Sequence, residues 1–182
     1  MATFIMLPDG NVQQEWDASG GGSAAYTDVD DDNGDTQYAF TDTTNERFEV
    51  TLAAPSVAEE DIDMSAGITV TIKASAAKTS SGNSFIDFFQ LGTAADTSVI
   101  SNGTDRITVT SGGSYATYSG TAETTSDGSD TWVYGDLAGL QIRLAKFRND
   151  RFGEMRVSYL YAEVAYTAAA AVDNATFFGA NF

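Results

Sequence analysis

An all-β fold of two antiparallel sheets packed face to face is what this sequence predicts. Three observations lead there: a composition rich in Thr, Ser, Gly, Val and aromatic residues, repeated alternation of apolar and polar residues, and turn residues between the alternating runs. At 182 residues with no internal repeat, the chain fits one domain with one core.

Alternation is cleanest in Ile68-Thr69-Val70-Thr71-Ile72-Lys73-Ala74, where apolar side chains fall on one side and Thr or Lys on the other. The same reading covers Tyr38/Phe40, Phe48/Val50/Leu52, Ile107/Val109, Leu140/Ile142/Leu144, and Met155/Val157/Tyr159 followed by Tyr161. Each is expected to be a strand with its apolar side turned to the core. Phe85-Ile86-Asp87-Phe88-Phe89 is too apolar to alternate and reads as a central strand covered on both faces. Between the runs, Ser80-Ser81-Gly82-Asn83, Asn102-Gly103, Ser111-Gly112-Gly113-Ser114 and Asp127-Gly128 supply residues that tolerate tight reversals. Eight or nine strands with sequential hairpins favour an open sandwich, with a closed barrel as the alternative. Helical turns are expected only in Ala54–Met64 and Gly135–Gly139.

The formal charge is −17, and it is regional: residues 1–63 carry 15 acids against Arg47 alone. Such a chain lacks the basic face that displaces counterions from phosphates, so a nucleic-acid partner is not expected. No apolar run reaches the roughly 18 residues a membrane helix needs, and Met1–Leu7 lacks the basic flank of a signal peptide. Synthesis in a cytoplasm without membrane insertion is the expectation. Arg143, Lys146, Arg148, Arg151 and Arg156 hold five of the nine basic residues. They read as solvated loop charges, with pairing to the acidic third as the alternative.

Histidine and cysteine are both absent, which removes Ser-His-Asp and Cys-His nucleophiles and His- or Cys-ligated metals. Glycoside hydrolysis needs only two carboxylates, and Glu154, Glu163 and Asp136 are the acids considered for it, but their spacing singles out none of them. No enzymatic activity and no cofactor are therefore expected. One qualification concerns Asp28, Asp30, Asp32 and Asp35, whose density suits a hard cation such as calcium. The pattern starts like an EF-hand loop and then departs from it, with Asn33 in place of Gly and Ala39 in place of the bidentate Glu. An acidic surface turn is the reading favoured. Trp16 and Trp132 are expected in the core, with a sugar-stacking platform as the alternative, and the tyrosines are expected to pack in the core or at strand edges.

Two stretches resemble recurring features of jelly-roll virion proteins of tailed phages. The first runs Trp16, Gly20-Gly21-Gly22, Tyr26, Val29-Asp30 and Asp35-Thr36-Gln37-Tyr38. The second runs Trp132 and Asp136-Leu137-Ala138-Gly139-Leu140-Gln141-Ile142-Arg143, continuing into Met155-Arg156-Val157-Ser158-Tyr159-Leu160-Tyr161-Ala162-Glu163-Val164-Ala165-Tyr166. The resemblance implies a jelly-roll-like β-sandwich over residues 12–167; outside it, the residues themselves set apart an N-terminal extension over 1–11 and, from the Ala168–Ala171 linker on, a Phe-rich tail over 168–182. The resemblance further implies a capsid decoration or cement subunit on the head exterior, a homo-oligomer and often a trimer, bound to the major capsid protein. The candidate contacts are Phe4, Ile5, Leu7, Phe177, Phe178 and Phe182. A carbohydrate- or receptor-binding module of a tail, collar or fibre is the alternative on the same scaffold.

Overall fold

The computed structural model describes residues 1–19, 24–31, 36–79, 84–91, 106–110, 112–126, 130–147 and 153–170. They form two sheets. In the first, β3 (Asp17–Ala18), β4 (Ala39–Thr41), β11 (Met155–Tyr166), β6 (Ile68–Lys78) and β9 (Ala116–Ser119) lie side by side in that order, and β1 (Ala2–Met6) also pairs with β11. The second has the order β2 (Pro8–Gln14), β5 (Arg47–Leu52), β10 (Gln141–Phe147), β7 (Ser84–Leu91) and β8 (Arg106–Val109). Every strand pair is antiparallel, and from β5 to β11 the chain passes repeatedly from one sheet to the other. This is the two-sheet antiparallel sandwich that the alternation predicts, of the jelly-roll type that the resemblance implies, open at its edges and not closed into a barrel.

The core lies between the sheets. Phe48, Val50 and Leu52 of β5 and Ile142 and Leu144 of β10 are buried on one side. Ile68, Val70, Ile72 and Ala74 of β6 and Leu160, Ala162 and Val164 of β11 are buried on the other. Each fully buried Leu, Ile, Val or Phe contributes about 1.5–3 kcal/mol relative to exposure. Trp16 stacks on Phe48 with ring centroids 5.9 Å apart, and its indole N–H donates to the Glu46 carbonyl at 3.0 Å. Trp132 is likewise buried and donates to the Glu123 carbonyl at 3.1 Å.

β1 and β4 share one edge of β11. β4 pairs with Met155–Val157 and β1 with Ala162–Tyr166; in the gap, the Leu160 N–H donates to the Val29 carbonyl at 2.9 Å. Val29 follows a 3-10 turn at Ala25–Asp28 that the sequence did not foretell. On the far edge of β11 the pairing with β6 shifts between Val157 and Tyr159, so Ser158 is the extra residue of a β-bulge. A bulge of one residue inverts the alternation beyond it. Before it, Met155 and Val157 face the core; after it, Leu160, Ala162, Val164 and Tyr166 do.

Four expectations change here. The first eleven residues are not an extension: β1 sits inside the first sheet, and Pro8, which has no N–H to give to a ladder, opens the edge strand β2. Tyr38 and Phe40 do not face the core, since Ala39 and Thr41 take the buried positions of β4. Tyr159 and Tyr161 also face away from it, because of the bulge. The strand β9 follows the expected turn at Ser111–Ser114, over residues where no strand was expected. The two helical stretches hold 3-10 turns at Glu59–Asp61 and Met64–Ala66 and a four-residue helix, α1 (Tyr134–Leu137). Gly113 has the positive φ of 81° expected of its turn, whereas the turns at 80–83, 102–103 and 127–128 lie outside the described residues.

Candidate functional site

The outer face of the first sheet is built by register. On β11, outward positions run Arg156, Tyr159, Tyr161, Glu163 and Ala165; opposite them on β6 stand Ala77, Ser75, Lys73, Thr71 and Thr69. Thr117 and Ser119 of β9 extend this face beside Ser75 and Lys73, and Ile5 of β1 lies opposite Glu163.

Aromatic rings crowd this face without being buried. Tyr159 and Tyr161 are tilted against each other with centroids 4.7 Å apart. Tyr38 meets Phe40 edge-on at 5.8 Å and lies 6.4 Å from Tyr115. The Arg156 guanidinium sits 4.6 Å above the Tyr38 ring, a cation–π contact. It also donates to Glu154 Oε2 from Nε at 2.8 Å and Nη2 at 2.5 Å. Burial alone would lower the Arg156 pKa, but the Glu154 hydrogen bond and charge, with Tyr38 and Tyr115 beside it, raise it instead. Lys73 Nζ donates to Glu163 Oε1 at 2.7 Å, and both side chains remain partly exposed, at 22% and 32%. Flat apolar rings beside charged hydrogen-bonding groups can stack on a ligand ring and bond its polar edge.

The sequence placed these tyrosines in the core or at strand edges. An available signal was the second, overlapping alternation Leu160/Ala162/Val164/Tyr166, which competes with Met155/Val157/Tyr159/Tyr161 and forces a phase change within β11.

Other candidates land elsewhere. Trp16 and Trp132 are 1% and 2% exposed, so neither is a stacking platform. Phe4 is buried against Tyr166, with centroids 5.7 Å apart, and is taken up by the chain's own core; Ile5 is 44% exposed and Leu7 half-buried. Phe177, Phe178 and Phe182 lie outside the described residues. Of the acids weighed for hydrolysis, Glu163 and Glu154 are paired as above, and Asp136 Oδ2 accepts from the Val133 N–H at 2.9 Å, capping α1.

Asp28 is buried and accepts from Ser19 Oγ at 3.3 Å. Asp30 is half-buried, and burial first, then the charges of Asp31 and Asp28, push its carboxyl above the usual range. Asp32 and Asp35 lie outside the described residues, and among the described residues no three metal-ligating side chains converge.

Among the described residues, the three members of the basic cluster are not solvated loop charges. Arg143 pairs with the buried Glu49, Arg156 with Glu154, and Lys146 is 1% exposed. Lys146 occupies an inward position of β10 and reaches across to the carbonyls of Gly153, at 3.0 Å, and Thr41, at 3.5 Å. Burial lowers its pKa, against the opposing influence of Asp42, Glu46 and Glu154. Two of these pairings, Arg143 with Glu49 and Lys146 with Thr41, reach into the acidic third of the chain. Arg148 and Arg151 lie outside the described residues.

Fold and face together describe a β-sandwich of jelly-roll type with an aromatic, charge-paired outer sheet surface. No protein-family model matches the chain, and no curated protein does. Among solved structures it is similar to the CBM36-1 domain of a multidomain xylanase from the hindgut metagenome of Trinervitermes trinervoides. The identity is 9% over 94% of this chain and 100% of that one, with a TM-score of 0.48.

Proposed function

We propose that this chain is a non-catalytic recognition module that binds a glycan on the outer face of its first sheet. The supporting observation is the half-exposed Tyr159–Tyr161 pair, 4.7 Å between centroids, set beside the Lys73–Glu163 pair and continued by Tyr38 and Arg156. Sugar rings present apolar C–H faces and a rim of hydroxyls, and this surface offers the complement of both. A non-catalytic role draws on the lack of histidine and cysteine and on the hydrogen bonds that occupy Glu154, Glu163 and Asp136. In the virion setting that the sequence resemblance implies, the module belongs to a tail, collar or fibre. The capsid-cement reading retains Ile5, exposed on the same face, as a contact. The test is a glycan array followed by calorimetry with the best ligand. Specific binding that Tyr159→Ala and Tyr161→Ala weaken while the chain stays folded supports the proposal; an array without specific hits opposes it.

A further inference from the structure

Both described cations on the tyrosine face are matched by carboxylates of the same surface. Lys73 is held by Glu163 at 2.7 Å, and Arg156 by Glu154 through two of its nitrogens. A surface made to hold carboxylate or sulfate groups needs a cation whose charge is left uncompensated, so that the ligand's charge replaces water without competing with a protein anion. Here an incoming anion meets a carboxylate beside each cation, on a chain of formal charge −17 that repels polyanions at a distance.

The same pairs serve a neutral ligand well. An ammonium group has three donors and a carboxylate several acceptor sites, and the bond between Lys73 and Glu163 uses one of each. Among the described residues, the remaining two Lys73 N–H groups and Glu163 Oε2 make no hydrogen bond to protein. A donor and an acceptor held one hydrogen bond apart match two adjacent hydroxyls of a sugar ring, one accepting from Lys73 and the other donating to Glu163. Tyr161 stands directly across from Lys73 in the register, and Tyr159 follows along the same strand, so the rings lie where the sugar's apolar face would rest.

We propose that the ligand is a neutral, hydroxyl-rich polysaccharide, with Lys73 and Glu163 reading a pair of adjacent hydroxyls above the Tyr159–Tyr161 rings. The inference rests on the glycan reading and narrows it to one chemical class. The experiment is affinity electrophoresis of the full chain in gels containing neutral β-glucan, mannan or xylan, beside gels containing polygalacturonate or alginate. Retardation by at least one neutral polymer and by neither polyuronate is expected, with the dissociation constant changing by less than about twofold on adding salt. Glu163→Gln and Lys73→Met should each weaken that retardation by about tenfold or more while thermal unfolding stays unchanged, since hydrogen bonds to charged groups are lost.

Salt-sensitive retention by the polyuronates would overturn the neutral class and leave the glycan reading standing. Neutral retention indifferent to both substitutions would overturn the role of the pair. Retention by none of the polymers, with Tyr159→Ala and Tyr161→Ala behaving like the unaltered chain, would remove the glycan reading itself.

Discussion

Val157 and Tyr159 lie two positions apart on β11 and face opposite sides of the sheet. Val157 is buried opposite Ala76, while Tyr159, opposite Ser75, is half-exposed beside Tyr161. Ser158 between them makes the difference, and its hydroxyl is buried with no hydrogen-bond partner among the described residues. A buried hydroxyl without a partner has given up its bonds to water and regained none, at a cost of about 1–3 kcal/mol. Ser158→Ala should therefore stabilise the chain by about 1 kcal/mol in urea unfolding, with the slope unchanged. Destabilisation would show that the hydroxyl is bonded after all.

Phe4 and Ile5 separate the folding role of β1 from any partner role. Phe4 is 8% exposed and packs on Tyr166, so Phe4→Ala should cost about 3–5 kcal/mol of stability. Ile5 is 44% exposed, and Ile5→Ala should change stability by no more than about 0.5 kcal/mol. Equal effects of the two in chemical denaturation would contradict the register of β1.

Trp16 ties β5 to the residue just before it, stacking on Phe48 and bonding to the Glu46 carbonyl. Replacing it by Ala removes the stack on Phe48 and the bond to the Glu46 carbonyl, and should cost about 3–5 kcal/mol without touching the tyrosine face. The check is calorimetric unfolding, with glycan affinity measured below the new transition.

Lys146 gives a pH signature. Its folded-state pKa lies below the ordinary 10.5, so over that window the unfolded chain holds the proton that the folded chain has released. The contribution to stability is full above 10.5 and is lost as pH falls through the folded-state value. Relative to Lys146→Met, which cannot titrate, the unaltered chain should gain stability as pH rises from neutrality toward 10.5. Paired denaturation curves would check this, and a difference that stays flat across the window would place the ammonium in water.

The sandwich was legible because most strands present one face to the core. Ile68 to Ala74, Phe48/Val50/Leu52 and Leu140/Ile142/Leu144 alternate as the sheets require. The face that carries the candidate site was not legible, for reasons of local geometry. Tyrosine suits either side of a half-buried sheet, so hydropathy cannot show that the bulge at Ser158 carries Tyr159 and Tyr161 outward. On β4, the small Ala39 takes the buried place that Tyr38 and Phe40 were expected to fill. In β1, the unbroken run Phe4-Ile5-Met6-Leu7 hides an alternation in which Phe4 and Met6 are buried and Ile5 is exposed. Lys146 is a charge at a core position, where pattern reading expects solvent; the carbonyls of Thr41 and Gly153 and the charges of Asp42, Glu46 and Glu154 make it tolerable there.

The most direct measurement is nitration of the folded chain with tetranitromethane, mapped by peptide mass spectrometry with and without a bound polysaccharide. Tyr159 and Tyr161 should be modified and then protected by the ligand, while Tyr166, 9% exposed on the inner side of the same strand, should resist in both conditions. Modification of Tyr166 with Tyr159 and Tyr161 spared would contradict the inverted alternation on which the proposed binding face depends.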